Sequence, residues 1–156
     1  MKETTLCYLE NNGRYLMLLR NKKKNDPNKN KWIGVGGKLE EGESPTDCAK
    51  REIMEETGIS VSVLEYRGRV YFGSDIYEDE IMHLFTSVCP ADSFTPCDEG
   101  ELKWIKKEDV PKLNLWEGDR VFLEYLLTDK EDFFEITLSY EGDTLKSVQE
   151  GINYEC

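Results

Sequence analysis

Two apolar runs near the start of the chain alternate with polar residues as strands do. They are TLCYLE (5–10) and RYLMLLR (14–20), and Asn12-Gly13 lies between them. An Asn-Gly pair favours the two-residue turns that join antiparallel strands. The pattern therefore predicts that a β-hairpin opens the chain.

The most sharply delimited element is a helix predicted over Pro45–Thr57. Ser44 suits the N-cap, Pro45 suits the first helical position, and Gly58 suits the left-handed position after the last turn. Asp47 completes an S-x-x-D pattern at the helix start. Both ends of this helix are thus marked in the sequence.

The remaining apolar segments predict a second helix and further strands. Apolar residues recur at helical spacing over Glu117–Leu127. Five segments rich in β-branched and aromatic residues are predicted strands: 61–73, 80–89, 101–107, 133–140 and 144–149. Strands combined with two principal helices predict an α/β fold in which the helices pack on opposite faces of a mixed sheet. The 156 residues are near the size of one domain, so we predict a single domain over 1–156.

The charge balance excludes one class of partner. Lys and Arg number 20 against 32 Asp and Glu, which gives a formal net charge of −12. Such a surface repels a nucleic-acid backbone, so we expect no polymeric nucleic-acid partner.

Cysteine and histidine usage narrows the kinds of site. The five cysteines are odd in number and form no C-x-x-C pair, which indicates neither a disulfide framework nor a zinc site. The single histidine, His83, is interpreted as a structural or surface residue. No signal peptide and no run of ~20 apolar residues is present, so a cytoplasmic location without a membrane partner is expected.

The predicted first helix carries a concentration of glutamates in REIMEETG (51–58). At 100° per residue, Glu52, Glu55 and Glu56 project within an arc of about 100°. This arc borders the apolar stripe of the helix, where a pocket can lie. The alternative is a solvated acidic face, since like-charge pairs on a helix cost only ~0.2–0.5 kcal/mol each.

A glycine-rich loop precedes this helix. Gly34, Gly36 and Gly37 permit close backbone approach, although the loop matches neither a Walker P-loop nor G-x-G-x-x-G. Clustered carboxylates without Cys or His partners suit Mg²⁺, with Mn²⁺ as an alternative. Upstream, residues 21–31 carry five lysines and form either a mobile solvated loop or a basic lip over an anionic ligand.

The loop and helix together resemble the Nudix box, G-x5-E-x7-R-E-U-x-E-E-x-G-U. All nine fixed positions are matched, and they are Gly37, Glu43, Arg51, Glu52, Ile53, Glu55, Glu56, Gly58 and Ile59. The resemblance implies the Nudix α/β/α sandwich and metal-dependent hydrolysis of a nucleoside diphosphate linked to another group. Nine matched positions at fixed spacing make the resemblance specific.

The resemblance also assigns roles within the box. The resemblance implies that Glu52, Glu55 and Glu56 bind the divalent metal ions and that one of them helps to deprotonate the attacking water. Gly36 is expected to offer its carbonyl to the metal, while Arg51 and Glu43 orient the acidic cluster. Arg51 is accordingly counted among the catalytic candidates.

Beyond the box, the chain is similar to MutT-type enzymes that remove oxidised purine nucleoside triphosphates. This implies that Trp116 flanks the purine and Asp119 bonds its edge, while Glu99 is a further metal or base candidate. The predicted phosphate-side contacts are Lys23, Gly37 and Lys38. Structural alternatives are a core aromatic for Trp116 and a helix-terminal charge for Asp119.

The expected reaction converts 8-oxo-dGTP and water into 8-oxo-dGMP and pyrophosphate, with a small-molecule nucleotide as the partner. Ile33 follows Trp32, whereas animal enzymes of this type carry at that position an asparagine that contacts the base, and this departure bears on base recognition. Alternatives are hydrolysis of ADP-ribose, a dinucleoside polyphosphate or an ordinary nucleoside triphosphate, and a nucleotide sensor without turnover. The sequence leaves open whether the protein is a monomer or a homodimer.

Overall fold

The computed structural model describes residues 1–90, 92–128 and 132–152. The strands in these ranges are β1 (Lys2–Asn11), β2 (Arg14–Leu19), β3 (Trp32–Ile33), β4 (Glu65–Ser74), β5 (Glu80–Val88), β6 (Glu101–Lys106), β7 (Phe134–Glu141) and β8 (Thr144–Glu150). The helices are α1 (Pro45–Thr57), α2 (Glu117–Leu127) and a short 3-10 helix at Lys107–Lys112. None of these helices has the length and apolar character needed to cross a bilayer.

The strands form a mixed sheet in the order β3-β2-β1-β5-β4-β7-β8, with β6 beside β2. β1 runs parallel to β5, and β4 runs parallel to β7. The other neighbouring pairs are antiparallel. β1 and β2 pair only next to their hairpin turn, at Glu10 with Tyr15 and Asn11 with Arg14.

The glycine-rich loop lies along the part of the β1 edge that is not paired with β2. The amides of Cys7 and Val35 each donate to the carbonyl of the other, at 2.7 and 2.9 Å. The Thr5 amide donates to the Gly37 carbonyl at 2.8 Å. The loop thus runs directly along the sheet before the chain enters α1.

The two helices cover opposite faces of the sheet. Ile53 of α1 packs in one buried cluster with Phe85, whereas Phe122 of α2 packs in another with Leu84. Leu84 and Phe85 are neighbours in β5, and successive side chains of a strand point to opposite faces. The predicted α/β/α sandwich with a mixed sheet is confirmed.

Both helices have their predicted limits, and both ends of α1 have the predicted caps. The Ser44 side chain accepts a hydrogen bond from the Asp47 amide at 3.1 Å, and Gly58 has a φ of 73°. Asn12 and Gly13 have φ angles of 51° and 72°, as the opening hairpin requires.

One predicted strand begins later than expected. Residues 61–73 were predicted to be extended, but β4 starts at Glu65, where pairing with Thr86 begins. Val61 and Leu64 pack against the cluster under α1 and do not join the ladder. Their apolar character reflects this packing, and the strand prediction for residues 61–64 was wrong.

Candidate active site

Arg51 donates hydrogen bonds to three carboxylates of the predicted acidic cluster. Its Nε and Nη2 donate to both carboxylate oxygens of Glu43, at 2.8 and 2.9 Å. Its Nη1 donates to Glu52 at 2.8 Å and to Glu55 at 3.3 Å. The hydrogen bonds from Arg51 lower the pKa of Glu43 to about 2. The guanidinium fork therefore fixes carboxylates from the loop and from α1 around one positive charge.

Glu56 lies deeper than the other two glutamates of the helix. It is 7% exposed, whereas the Glu55 side chain is 57% exposed. Burial raises the pKa of Glu56 to about 9, with further increases from the nearby carboxylates of Glu99 and Glu52. The structure thus brings together Glu52, Glu56 and Glu99 and leaves Glu55 at the outer rim.

The glycines of the loop allow the backbone to approach these carboxylates. A Cβ at Gly37 would lie 2.6 Å from a carboxylate oxygen of Glu52. A Cβ at Gly36 would overlap the backbone carbonyl of Thr5. The close approach expected from the sequence is therefore present, and a side chain at either position would disturb it.

The donor atoms at this site suit a hard cation, but their present arrangement does not converge on one. In the described part of the chain, no three Asp, Glu, His or Cys side chains are placed to hold a metal ion. Glu52 and Glu55 both point to Arg51. Carboxylates and a backbone carbonyl are nevertheless the ligands that Mg²⁺ prefers.

The lysine-rich loop (21–31) and the preceding Arg20 contact the carboxylate of Glu99. Arg20, directly after β2, donates to Asp26 at 2.7 Å and to Glu99 at 3.1 Å. Lys23 donates to Glu99 at 3.3 Å, and Lys22 to the Cys97 carbonyl at 2.7 Å. Arg20 was not predicted to belong to the site, because its only sequence signal is a basic residue directly after the apolar run of β2.

A cavity of about 300 Å³ lies between the glycine-rich loop and α2, and Glu52, Glu55, Glu56 and Glu99 are not among the described residues that line it. Arg20, Gly36 and Gly37 line one part of it, and Trp116 and Asp119 also line it. The side chains of Lys23 and Lys38 are not among the described residues that line this cavity. The predicted base contacts and the glycine-rich loop therefore line the same cavity.

Trp116 and Asp119 are both held by their surroundings. The Trp116 indole donates to the Asn28 side chain at 2.8 Å, and its ring meets Tyr140 edge to face at 5.8 Å. Asp119 is 6% exposed, and burial together with the nearby Glu80 raises its pKa to about 8. The cavity thus combines an aromatic wall with a buried carboxyl group whose pKa is raised.

Sequence and structure comparisons agree with this geometry. The family profile described as NUDIX domain matches residues 2–126. The chain is 34% identical over 103 residues to the oxidized purine nucleoside triphosphate hydrolase of Mus musculus, covering 65% of each chain. It is 30% identical over 131 residues to the Danio rerio protein of the same name, covering 83% of this chain and 81% of that one. The crystal structure of the mutator MutT protein from Bacillus halodurans matches with a TM-score of 0.84 and 27% identity, covering 96% of this chain and 97% of that one.

Proposed function

The chain belongs to the NUDIX domain family, and on that premise we propose that it is a metal-dependent pyrophosphohydrolase of oxidised purine nucleoside triphosphates. The proposed reaction is 8-oxo-dGTP plus water to 8-oxo-dGMP plus pyrophosphate. One observation carries this proposal: Gly37 and Arg20 line the cavity together with Trp116 and Asp119, and they also lie against the carboxylates of Glu52 and Glu99. Two relatives named for hydrolysis of oxidised purine nucleoside triphosphates support the choice of base.

Four groups of this chain are proposed to hold Mg²⁺, with Mn²⁺ as the alternative ion. They are the carboxylates of Glu52, Glu55 and Glu56 and the carbonyl of Gly36. Glu52 and Glu55 must turn from Arg51 to take part, because both now accept hydrogen bonds from its guanidinium. When bound, a divalent ion offsets phosphate charge and makes water a better nucleophile.

The carboxylates supply the proton transfer that the reaction requires. The oxygen of water forms a bond to the β-phosphorus, and the bond from that phosphorus to the α,β-bridging oxygen breaks. The bridging oxygen leaves with 8-oxo-dGMP, while a glutamate accepts the proton of the attacking water. The candidates for this base are Glu52, Glu55, Glu56 and Glu99, and the base is expected to contribute a factor of ~10²–10⁴ to the rate.

The remaining contacts position the nucleotide. Trp116 is proposed to flank the purine and Asp119 to bond its edge, in the cavity that both line. Gly37 lines the same cavity, and Lys23 and Lys38, which do not line it, are proposed to approach the phosphates. The function in the cell would be sanitation of the cytoplasmic nucleotide pool, which avoids mutation.

The test is release of pyrophosphate and monophosphate from 8-oxo-dGTP, dGTP, dATP and ADP-ribose, with Mg²⁺ and with chelator. We expect metal-dependent pyrophosphate release that is fastest from 8-oxo-dGTP. Preference for ADP-ribose would overturn the substrate assignment. Absence of turnover on the whole panel, with binding retained, would favour a nucleotide sensor.

A further inference from the structure

A second carboxylate, Glu80, lines the cavity beside Asp119. Glu80 is the first residue of β5, and its register partners are Lys2 of β1 and Phe72 of β4. Alternation along β5 places Met82 on the same face as Glu80, and Lys2, Phe72 and Met82 all line the cavity. The strand register therefore brings a charged acceptor to a largely apolar wall.

The Glu80 carboxylate is held in a defined position. The Thr4 hydroxyl donates to one of its oxygens at 2.6 Å, and the Lys2 ammonium lies 3.4 Å from the other. An ionised carboxylate only accepts hydrogen bonds and has about four acceptor positions. Thr4 and Lys2 therefore orient Glu80 and leave it able to accept further hydrogen bonds. The Glu80 side chain is 23% exposed and lines the cavity, so a ligand in the cavity can reach its remaining acceptor positions.

Two other carboxyl groups of the described residues line the cavity, and both differ from Glu80: Asp119 is buried, and the Glu78 side chain is 60% exposed and lies 3.7 Å from the terminal ammonium of Met1. Ile33 lines the cavity and offers no polar atom from its side chain. Phe72 and Trp116 supply aromatic surface to the same wall. Discrimination between bases of similar shape must then come from polar side chains such as Glu80, because apolar contact distinguishes such bases weakly.

We propose that Glu80 is a specificity-determining residue whose carboxylate accepts N–H hydrogen bonds from a purine that carries a 2-amino group. Such a base presents its ring N1–H and its amino N–H side by side, which matches the two oxygens of one carboxylate. A hypoxanthine base keeps N1–H but lacks the amino group, so it leaves one acceptor without a partner. The inference rests on the proposed function, since it places the purine of a nucleotide in this cavity.

The test compares 8-oxo-dGTP with 8-oxo-dITP, which differ only in the 2-amino group. In the unaltered protein, kcat/KM is expected to be about 10-fold to 100-fold higher for 8-oxo-dGTP, since hydrogen bonds to charged groups are worth this much. Glu80→Gln should reduce that ratio to within about threefold, because the carboxamide presents a donor to the amino group. Glu80→Met removes the polar group and should also lose the preference for 8-oxo-dGTP over 8-oxo-dITP. Glu65→Gln removes an exposed carboxylate from the neighbouring strand and should preserve it.

Binding without turnover separates this inference from the proposed function. Dissociation constants of 8-oxo-dGMP and 8-oxo-dIMP are measured by calorimetry for the same four proteins. If no triphosphate is hydrolysed but Glu80→Gln abolishes a binding preference for 8-oxo-dGMP, the proposed reaction fails and the role of Glu80 stands. Equal binding of the two monophosphates by the unaltered protein, or an unchanged preference in Glu80→Gln, overturns the role of Glu80.

Discussion

The buried carboxyl of Asp119 is expected to make folding stability depend on pH. Burial and the nearby Glu80 raise the pKa of Asp119 from 3.8 to about 8. The folded chain therefore binds this proton more tightly than the unfolded chain does. The resulting stabilisation is fully present below about pH 4 and is lost as pH rises towards 8. Asp119→Asn should remove this dependence, since an amide resembles the protonated acid and does not titrate.

The size of the effect follows from the two pKa values. Each tenfold difference in proton affinity corresponds to about 1.4 kcal/mol. Over the interval from pH 5 to pH 8 this sets an upper limit of ~4 kcal/mol for Asp119. Because Asp119 lines a cavity, we expect an effect below this limit. Between pH 5 and pH 8, the free energy of unfolding of the unaltered protein should fall by ~2 kcal/mol or more beyond the fall in Asp119→Asn. Glu56, with its pKa raised to about 9, contributes a loss of the same sign that both proteins share.

Urea unfolding at pH 5, 6, 7 and 8 in the presence of chelator gives the required free energies. Asp119→Asn should match the unaltered protein at pH 5 and exceed it at pH 8. Glu124→Gln is the matched control, because it removes an exposed carboxylate from the same helix. Equal slopes of the free energy of unfolding against pH in the unaltered protein and in Asp119→Asn would contradict a raised pKa at Asp119.

Two further substitutions test how the site is built. Arg51→Lys keeps the charge but cannot form the bidentate contact with Glu43. We therefore expect kcat/KM to fall ~10–100-fold while helix content stays unchanged. An unaltered kcat/KM would show that this contact is dispensable. Gly36→Ala should destabilise the fold by ~3 kcal/mol or more, because its Cβ would overlap the Thr5 carbonyl. Urea unfolding checks this against Gly73→Ala, whose Cβ would meet only ordinary contacts, and equal stabilities would contradict the steric argument.

The first helix shows how far local sequence determines structure. Its caps and its limits follow from residues within a few positions of each end, as Ser44 and Gly58 demonstrate. The shared arc of the glutamates also follows from helical geometry. That geometry alone does not distinguish buried Glu56 from exposed Glu55, because the difference depends on the side chains that pack against α1.

The parts of the site that the sequence did not reveal come from distant segments. Arg20 meets Glu99 across 79 positions of sequence, and Thr4 meets Glu80 across 76. Such contacts depend on which strands are neighbours and on their register, and a one-residue change of register would turn Glu80 away from the cavity. Only the assembled sheet specifies them.

The most direct test of the central claim is the rate of pyrophosphate release from 8-oxo-dGTP by Glu56→Gln at saturating Mg²⁺. If the acidic cluster carries out the hydrolysis, this variant should remain folded and lose ~10²-fold or more of kcat, since its amide can neither take a proton nor bind the ion as a carboxylate does. A folded Glu56→Gln protein that turns over at the unaltered rate would contradict the account.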